Sequence, residues 1–280
     1  MDVKTYLKEL KAHTPYDFSD YSDNSIHRRL QKVLKDHQLT MDELLEKTRS
    51  DKYFVEQLVE EITVNTTEMF RDPDIWIAFY NRIYPLLKNR TSINIWHAGC
   101  SSGQEVYSNI IMLNELGLLE RSKIYATDLN SKMISQAKYA TYRYRFNKKH
   151  IDIFNSKLKA NPVGEISHIE IDKYYDVSEE NDSMKIKGFI KNIPNFQKHD
   201  LVQEKLPFYN KFDIIFCRNV LIYFNTSLQT KIFQFFYDRL HQGGILLLGN
   251  HEGLTGFFKT KFTKSDPFYV KNNAFHFKYQ

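Results

Sequence analysis

The run Ile93-Asn94-Ile95-Trp96-His97, then Ala98-Gly99-Cys100-Ser101-Ser102-Gly103, then Gln104-Glu105-Val106-Tyr107-Ser108 changes character twice. Residues 93–97 predict a short apolar strand, 98–103 a loop of small residues, and 105–116 a helix that stops at Gly117. The same order recurs downstream. Residues 123–127 predict a second strand with Asp128 at its end, 131–139 a helix, 212–216 a third strand and 228–240 another helix. Gly243-Gly244 predicts a turn into a strand over 245–248, and 268–271 with 274–279 a hairpin across Asn272-Asn273. Such alternation implies an α/β fold, a parallel sheet with helices on both faces.

Residues 163–193 break this rhythm. Stretches at 168–171 and 184–190, separated by a polar turn at 178–183, predict an antiparallel hairpin inserted into the α/β domain. Up to about Arg71 the pattern is helical: Val3, Leu7 and Leu10, then Ile26, Leu30, Val33 and Leu34, then Phe54, Leu58 and Ile62. Ser25 and Thr40 read as N-caps, with Glu43 completing a capping box after Thr40. The expected division is a helical domain over 1–75, a linker helix over 76–90 and the α/β domain over 91–280.

Cys100 and Cys217 are too few for a disulfide framework and lack metal-ligand spacing, so no metal site is expected. The first ten residues lack the apolar core of a secretory signal, and no apolar run approaches the roughly 18 residues that cross a bilayer. A cytoplasmic protein without membrane insertion is the expectation. The net charge of +5 is uneven: residues 1–71 hold 11 Lys/Arg against 14 Asp/Glu, the remainder 28 against 20. A basic α/β half suits an acidic substrate, a nucleic acid or an anionic surface.

Doubly wound sheets bind ligands at the carboxyl ends of their strands. Around Gly99, small residues allow a cofactor close to the backbone. Asp128, at the end of the second strand, is placed to hold ribose hydroxyls, and Cys217-Arg218-Asn219 turns back under the third. NAD, FAD and S-adenosylmethionine (SAM) domains all use such a glycine–acid pair. Here the loop is not Gly-x-Gly-x-x-Gly, and Glu105 opens the helix. A carboxylate there repels a pyrophosphate but accepts a hydrogen bond from an ammonium such as that of SAM; it also suits the helix dipole.

Four segments taken together carry a family likeness: Asn65-Thr66-Thr67-Glu68-Met69-Phe70-Arg71, the stretch from Ile95 to Ser108, Ala126-Thr127-Asp128, and Phe216-Cys217-Arg218-Asn219-Val220-Leu221-Ile222-Tyr223-Phe224. Their combination resembles the CheR-type chemotaxis receptor glutamate methyltransferases, along nearly the whole chain. The resemblance implies a Rossmann-like SAM-dependent methyltransferase domain with an inserted antiparallel β-subdomain, preceded by a small all-α domain. It implies methyl transfer from SAM to receptor glutamate carboxylates, leaving S-adenosylhomocysteine and tuning sensory adaptation. By position, Asn65, Thr67 and Arg71 would close over the cofactor, Glu105 and Asp128 would take its amino group and ribose, and Asp200 and Leu201 would flank the adenine. Arg218 and Asn219 would line the floor, with Tyr223 near the transferred methyl and Arg71 close by. Arg71 and Tyr223 are thus the expected catalytic pair. A glutamate side chain, with a pKa near 4.3, is ionised at neutral pH, so no general base is needed.

Several positions depart from the family pattern. Gln104 and Val106 replace a common acid and proline, His97 a small residue, and Asp200 a frequent asparagine. His97 reads as a packing or hydrogen-bonding histidine. The inserted turn Val177-Ser178-Glu179-Glu180-Asn181-Asp182-Ser183 lacks the Gly-x-Gly with which some members dock a receptor-tail peptide by strand addition, so independence of that tether is expected. Arg28, Arg29, Lys32 and Lys35 gather on one helix side, a solvated face on sequence alone. With the resemblance they become a docking face for the acidic methylation helices of a methyl-accepting chemoreceptor. A monomer is expected. Two rival classes are a nucleic-acid methyltransferase, drawing on the basic aromatic stretch 139–150, and a non-catalytic SAM-binding scaffold. The first lacks an Asp-Pro-Pro-Tyr-type segment after the third strand, so no nucleic-acid partner is expected; the second would have lost Arg71 or Tyr223, and both are present.

Overall fold

The computed structural model describes residues 1–203 and 205–272. Four helices come first: α1 (Val3–His13), α2 (Asp23–His37), α3 (Met41–Ser50) and α4 (Lys52–Ile62). Their apolar faces, including Tyr6, Leu10, Ile26, Leu30, Leu44, Phe54 and Leu58, close a core of their own. The capping box predicted at Thr40 and Glu43 forms at the start of α3. The cap of α2 is displaced: Ser22, not Ser25, occupies it, and Ser25 lies inside the first turn. The Ser22 N–H donates to the carbonyl of Tyr223 (2.8 Å), so a distant segment determines where this helix begins.

Next come α5 (Pro73–Leu87), β1 (Ile93–Ala98), α6 (Gln104–Glu115), β2 (Ser122–Asp128), α7 (Ser131–Tyr139), β3 (Thr141–Arg143) and α8 (Tyr144–Ala160). They are followed by α9 (Ile171–Tyr174), β4 (Tyr175–Ser178), β5 (Ser183–Ile186), α10 (Gly188–Lys191), β6 (Asn195–Lys198) and β7 (Phe212–Cys217). The chain continues through α11 (Thr226–Arg239), β8 (Leu240–Leu248), α12 (Phe258–Lys261), β9 (Phe262–Ser265) and β10 (Phe268–Lys271). Trp76, Phe79, Tyr80 and Ile83 of α5 are buried in the same core as Ile93 and Ile95 of β1, so α5 packs as a layer of the α/β unit.

Among the described residues one sheet runs β6-β2-β1-β7-β8-β10-β9. Its first five strands pair in parallel, and β10 and β9 close the edge antiparallel. Strand order reverses between β1 and β7, which puts the switch point of this doubly wound sheet at the carboxyl ends of β1, β2 and β7. No described helix is long and apolar enough to cross a membrane.

Two expectations are corrected. Residues 168–170 are not a strand: the Asn155 side chain donates to the Ile169 carbonyl (3.0 Å) and accepts from its N–H (2.8 Å), satisfying backbone that a ladder would otherwise serve. The small sheet is instead β3-β5-β4, so β3, far upstream of residue 163, also belongs to it. Gly243-Gly244 lies within β8 rather than before it. The β7–β8 register jumps from Phe212↔Leu240 to Ile214↔Ile245, and the glycines absorb the bulge, Gly243 with φ 69°. Strand β10 pairs backward with β9; the strand expected over 274–279 lies outside the described residues.

Candidate active site

The carboxyl ends of β1, β2 and β7 open into a cavity. The expected residues Asn65, Thr67, Arg71, Gly99, Glu105, Asp128, Leu201, Arg218, Asn219 and Tyr223 all line it. Asp200 does not. It borders a neighbouring hollow with Tyr16 and Lys198, and its carboxylate accepts the Val202 N–H (2.9 Å) in a tight turn. Burial pushes the Asp200 carboxyl up to about 6.

After β1 the chain turns sharply. The N–H groups of Gly99 and Cys100 both donate to the Thr127 carbonyl (2.8 and 2.9 Å), fastening this loop to β2. Gly99 has φ 77°, and a Cβ there would stand 2.4 Å from Val220 Cγ2, so only glycine lets the β1 and β7 loops approach this closely. Asp128 accepts from the N–H groups of Ser101 (2.8 Å) and Asn130 (2.9 Å). Burial nevertheless raises its carboxyl above the usual range, since neutral donors alone face it. A vicinal diol would supply further donors to this carboxylate at no cost in charge.

Glu105 stands across the cavity in a polar chain. Tyr80, its hydroxyl kept protonated by burial, donates to Asn109 Oδ1. The Asn109 amide therefore presents Nδ2–H to His97 Nε2 (2.9 Å), and His97 Nδ1–H donates to Glu105 Oε1 (2.8 Å). His97 is fully buried and stacks on Phe216 at 4.4 Å. The other carboxylate oxygen accepts from Arg218 Nη1 (3.2 Å). Burial alone would raise the Glu105 carboxyl, but His97 and the Arg218 charge together bring it below the ordinary value. Both oxygens are thus engaged, and each keeps a lone pair for a cationic ligand.

Arg218 is held at both terminal nitrogens, while its buried Nε has no partner among the described residues. Its Nη2 donates to Asp72 Oδ2 (2.7 Å) and the Arg71 carbonyl (3.0 Å), while the guanidinium lies over Trp76 at 5.7 Å. It therefore ties the 65–72 segment to the β7 loop. The same segment is fixed by Phe70 N–H donating to Ser108 Oγ (2.9 Å) and by the Asn65 carbonyl accepting from Ser101 Oγ (3.1 Å). Tyr223 ends a single 3₁₀ turn, Leu221–Tyr223. Burial raises its hydroxyl, and the charges of Arg29 and Arg71 partly oppose that.

Residues beyond the expected set also line the cavity, among them Tyr21, Ser25, Leu129 and His199. Tyr21 packs edge-on against Phe224 at 4.9 Å and brings the helical domain to the site. The His199 ring, which burial holds down to about 4, is neutral and has no ring-nitrogen partner among the described residues. No cluster of three or more metal-ligating side chains occurs among the described residues. A buried carboxylate facing neutral donors, a second carboxylate placed for a cation and an apolar wall fit SAM.

Comparison with known proteins agrees with this geometry. Residues 65–267 match the model of the CheR methyltransferase SAM binding domain, and residues 1–63 that of the CheR methyltransferase all-alpha domain. The chain belongs to the CheR methyltransferase family. Its cofactor is S-adenosylmethionine. The chain is 34% identical over 255 residues to the Cher3 protein of Pseudomonas putida, covering 91% of this chain and 89% of that one. The chemotaxis protein methyltransferase of Listeria monocytogenes is 28% identical across 90% of this chain and 89% of its own. That of Vibrio anguillarum is 33% identical across 71% and 68%.

Proposed function

We propose that this protein transfers the methyl group of SAM to glutamate side-chain carboxylates on chemoreceptor helices. The observation that carries the reading is that Tyr223 and Arg71 both line the cofactor cavity, with the charge of Arg29 also acting on Tyr223. Arg29 lies one turn beyond the cavity-lining Ser25 on α2, acts on Tyr223 by its charge, and has a buried Nε without a partner among the described residues. A substrate that brings a carboxylate satisfies both.

The cofactor supplies an electrophilic sulfonium methyl. A glutamate side chain arrives ionised, so the protein's task is alignment and exclusion of water. Arg71 and Arg29 orient the carboxylate through charge-assisted hydrogen bonds, and the Tyr223 hydroxyl donates a third. Glu105 and Asp128 would hold the amino group and ribose; Asn65 and Thr67 would cover the cofactor. Leu201 would flank the adenine, with Arg218 and Asn219 on the floor.

Docking falls to the exposed side of α2. Arg28, Lys32 and Lys35 are exposed there, with Lys32 paired to Asp36 one turn on. The acidic methylation region of a receptor suits this face. The β4–β5 turn holds Glu179, Glu180 and Asp182, whose carboxylate accepts the Arg145 N–H (2.8 Å). An acidic, glycine-free turn supports docking without a receptor-tail peptide; tight binding of that peptide by calorimetry would contradict it.

The test is incubation with methyl-labelled SAM and membranes carrying cognate receptors. Base-labile label on the receptor supports the reading. Label on RNA or DNA, or none on any acidic protein despite cofactor binding, would overturn it.

A further inference from the structure

The Glu252 carboxylate gathers five backbone N–H groups. Oε1 accepts from Val220 (2.8 Å), Leu221 (2.7 Å) and Ile222 (3.3 Å), and Oε2 from Asn219 (2.7 Å) and Gly249 (2.7 Å). Four of these donors are consecutive, and they form the segment between Arg218 and Tyr223. This segment has no ladder to satisfy it. Asn219 is left-handed (φ 60°), and the single 3₁₀ turn that follows leaves its leading N–H groups without internal partners. An acceptor-only side chain with two oxygens meets that need. Glycine at 249 is required for the approach, since a Cβ there would lie 2.7 Å from Glu252 Oε2 and 3.0 Å from Asn219 N.

The segment so held carries three parts of the site. Asn219 and Tyr223 line the cavity, and Val220 packs against Gly99 with no room for a methyl between them. Glu252 is not among the cavity-lining residues. We propose that Glu252 is the positioning residue that sets Asn219 and Tyr223 for cofactor binding and methyl transfer. It acts through the backbone it clamps. A free segment would let Tyr223 swing from its place, and its carbonyl would loosen from the Ser22 N–H that begins α2. One carboxylate after β8 thereby fixes both the site floor and the seat of the helical domain. The inference rests on the proposed methyl-transfer role of Tyr223, but two of its three readouts need no receptor.

The test compares Glu252→Gln and Glu252→Asp with the parent chain. Glutamine turns one acceptor into an NH₂ group facing N–H donors, with size and shape preserved; aspartate keeps both acceptors on a shorter stem. Hydrogen exchange should accelerate at the amides of residues 219–222 in Glu252→Gln. S-adenosylhomocysteine should bind roughly tenfold more weakly by calorimetry, and kcat should fall roughly tenfold to a hundredfold per cofactor-binding site. Glu252→Asp should recover part of all three. A Glu252→Gln protein that keeps parental exchange at 219–222 would overturn the proposal. So would one that keeps parental kcat and affinity per folded site while melting lower, because that is a structural role alone. If the parent itself methylates no receptor, the methyl-transfer reading fails while exchange and calorimetry still decide on the clamp.

Discussion

Replacing Asp200 by asparagine should stabilise the protein, increasingly so as pH rises. The Asp200 carboxyl is held near 6 by burial, with Asp17 adding to the rise and Lys198 opposing it, against an ordinary value of 3.8. Between those values the folded chain holds a proton that the unfolded chain has lost, so stability from this group falls as pH climbs through 4 to 6 and stays low above. Linkage gives a penalty of about 1 kcal/mol near pH 4.5 and about 3 kcal/mol near pH 7.5, a growth of about 2 kcal/mol. The side chain keeps some solvent contact, so roughly half of that growth, about 1 kcal/mol, is the expected effect. Asparagine keeps an oxygen for the Val202 N–H and carries no charge to bury. Urea unfolding of the parent and Asp200→Asn at both pH values measures the change. An advantage for the variant that is constant with pH, or that shrinks as pH rises, would refute the reasoning.

Three further outcomes follow from single contacts. Gly99→Ala should unfold about 1–3 kcal/mol more easily and lose S-adenosylhomocysteine binding, because the added methyl meets Val220 at 2.4 Å; melting and calorimetry read both. Asp128→Asn should weaken that binding by roughly tenfold or more, through loss of a charged acceptor for ribose, with little loss of stability since burial already disfavours the charge. Thr40→Ala should cost about 1 kcal/mol in thermal or urea unfolding by opening the capping box, and leave cofactor affinity unchanged.

Much of the parallel sheet was legible because β1, β2 and β7 each end in a change of composition before the next helix. The α7 helix needed nothing beyond its own spacing. Reading failed where a tertiary contact replaced a local preference. Residues 168–170 look strand-like, yet Asn155 satisfies Ile169 from another helix. The Gly243-Gly244 pair looks like a turn but is a bulge that only the β7 register explains. Site residues close to motif segments were foreseeable. Tyr21 and Glu252 were not, since their parts arise from chain-distant neighbours: the Tyr21 loop pairs with Phe224, and Glu252 caps a segment some thirty residues earlier. The hydrogen bonds of His97 likewise depend on Tyr80 and Asn109, which no spacing links to it.

The most direct measurement is peptide mapping of cognate receptors after reaction with methyl-labelled SAM, using the parent chain, Arg71→Ala and Tyr223→Phe. The account predicts label on glutamate side chains of the receptor helices, released by mild base and sharply reduced in both variants. Base-stable label on another residue type, or undiminished label with Tyr223→Phe and Arg71→Ala, would contradict it.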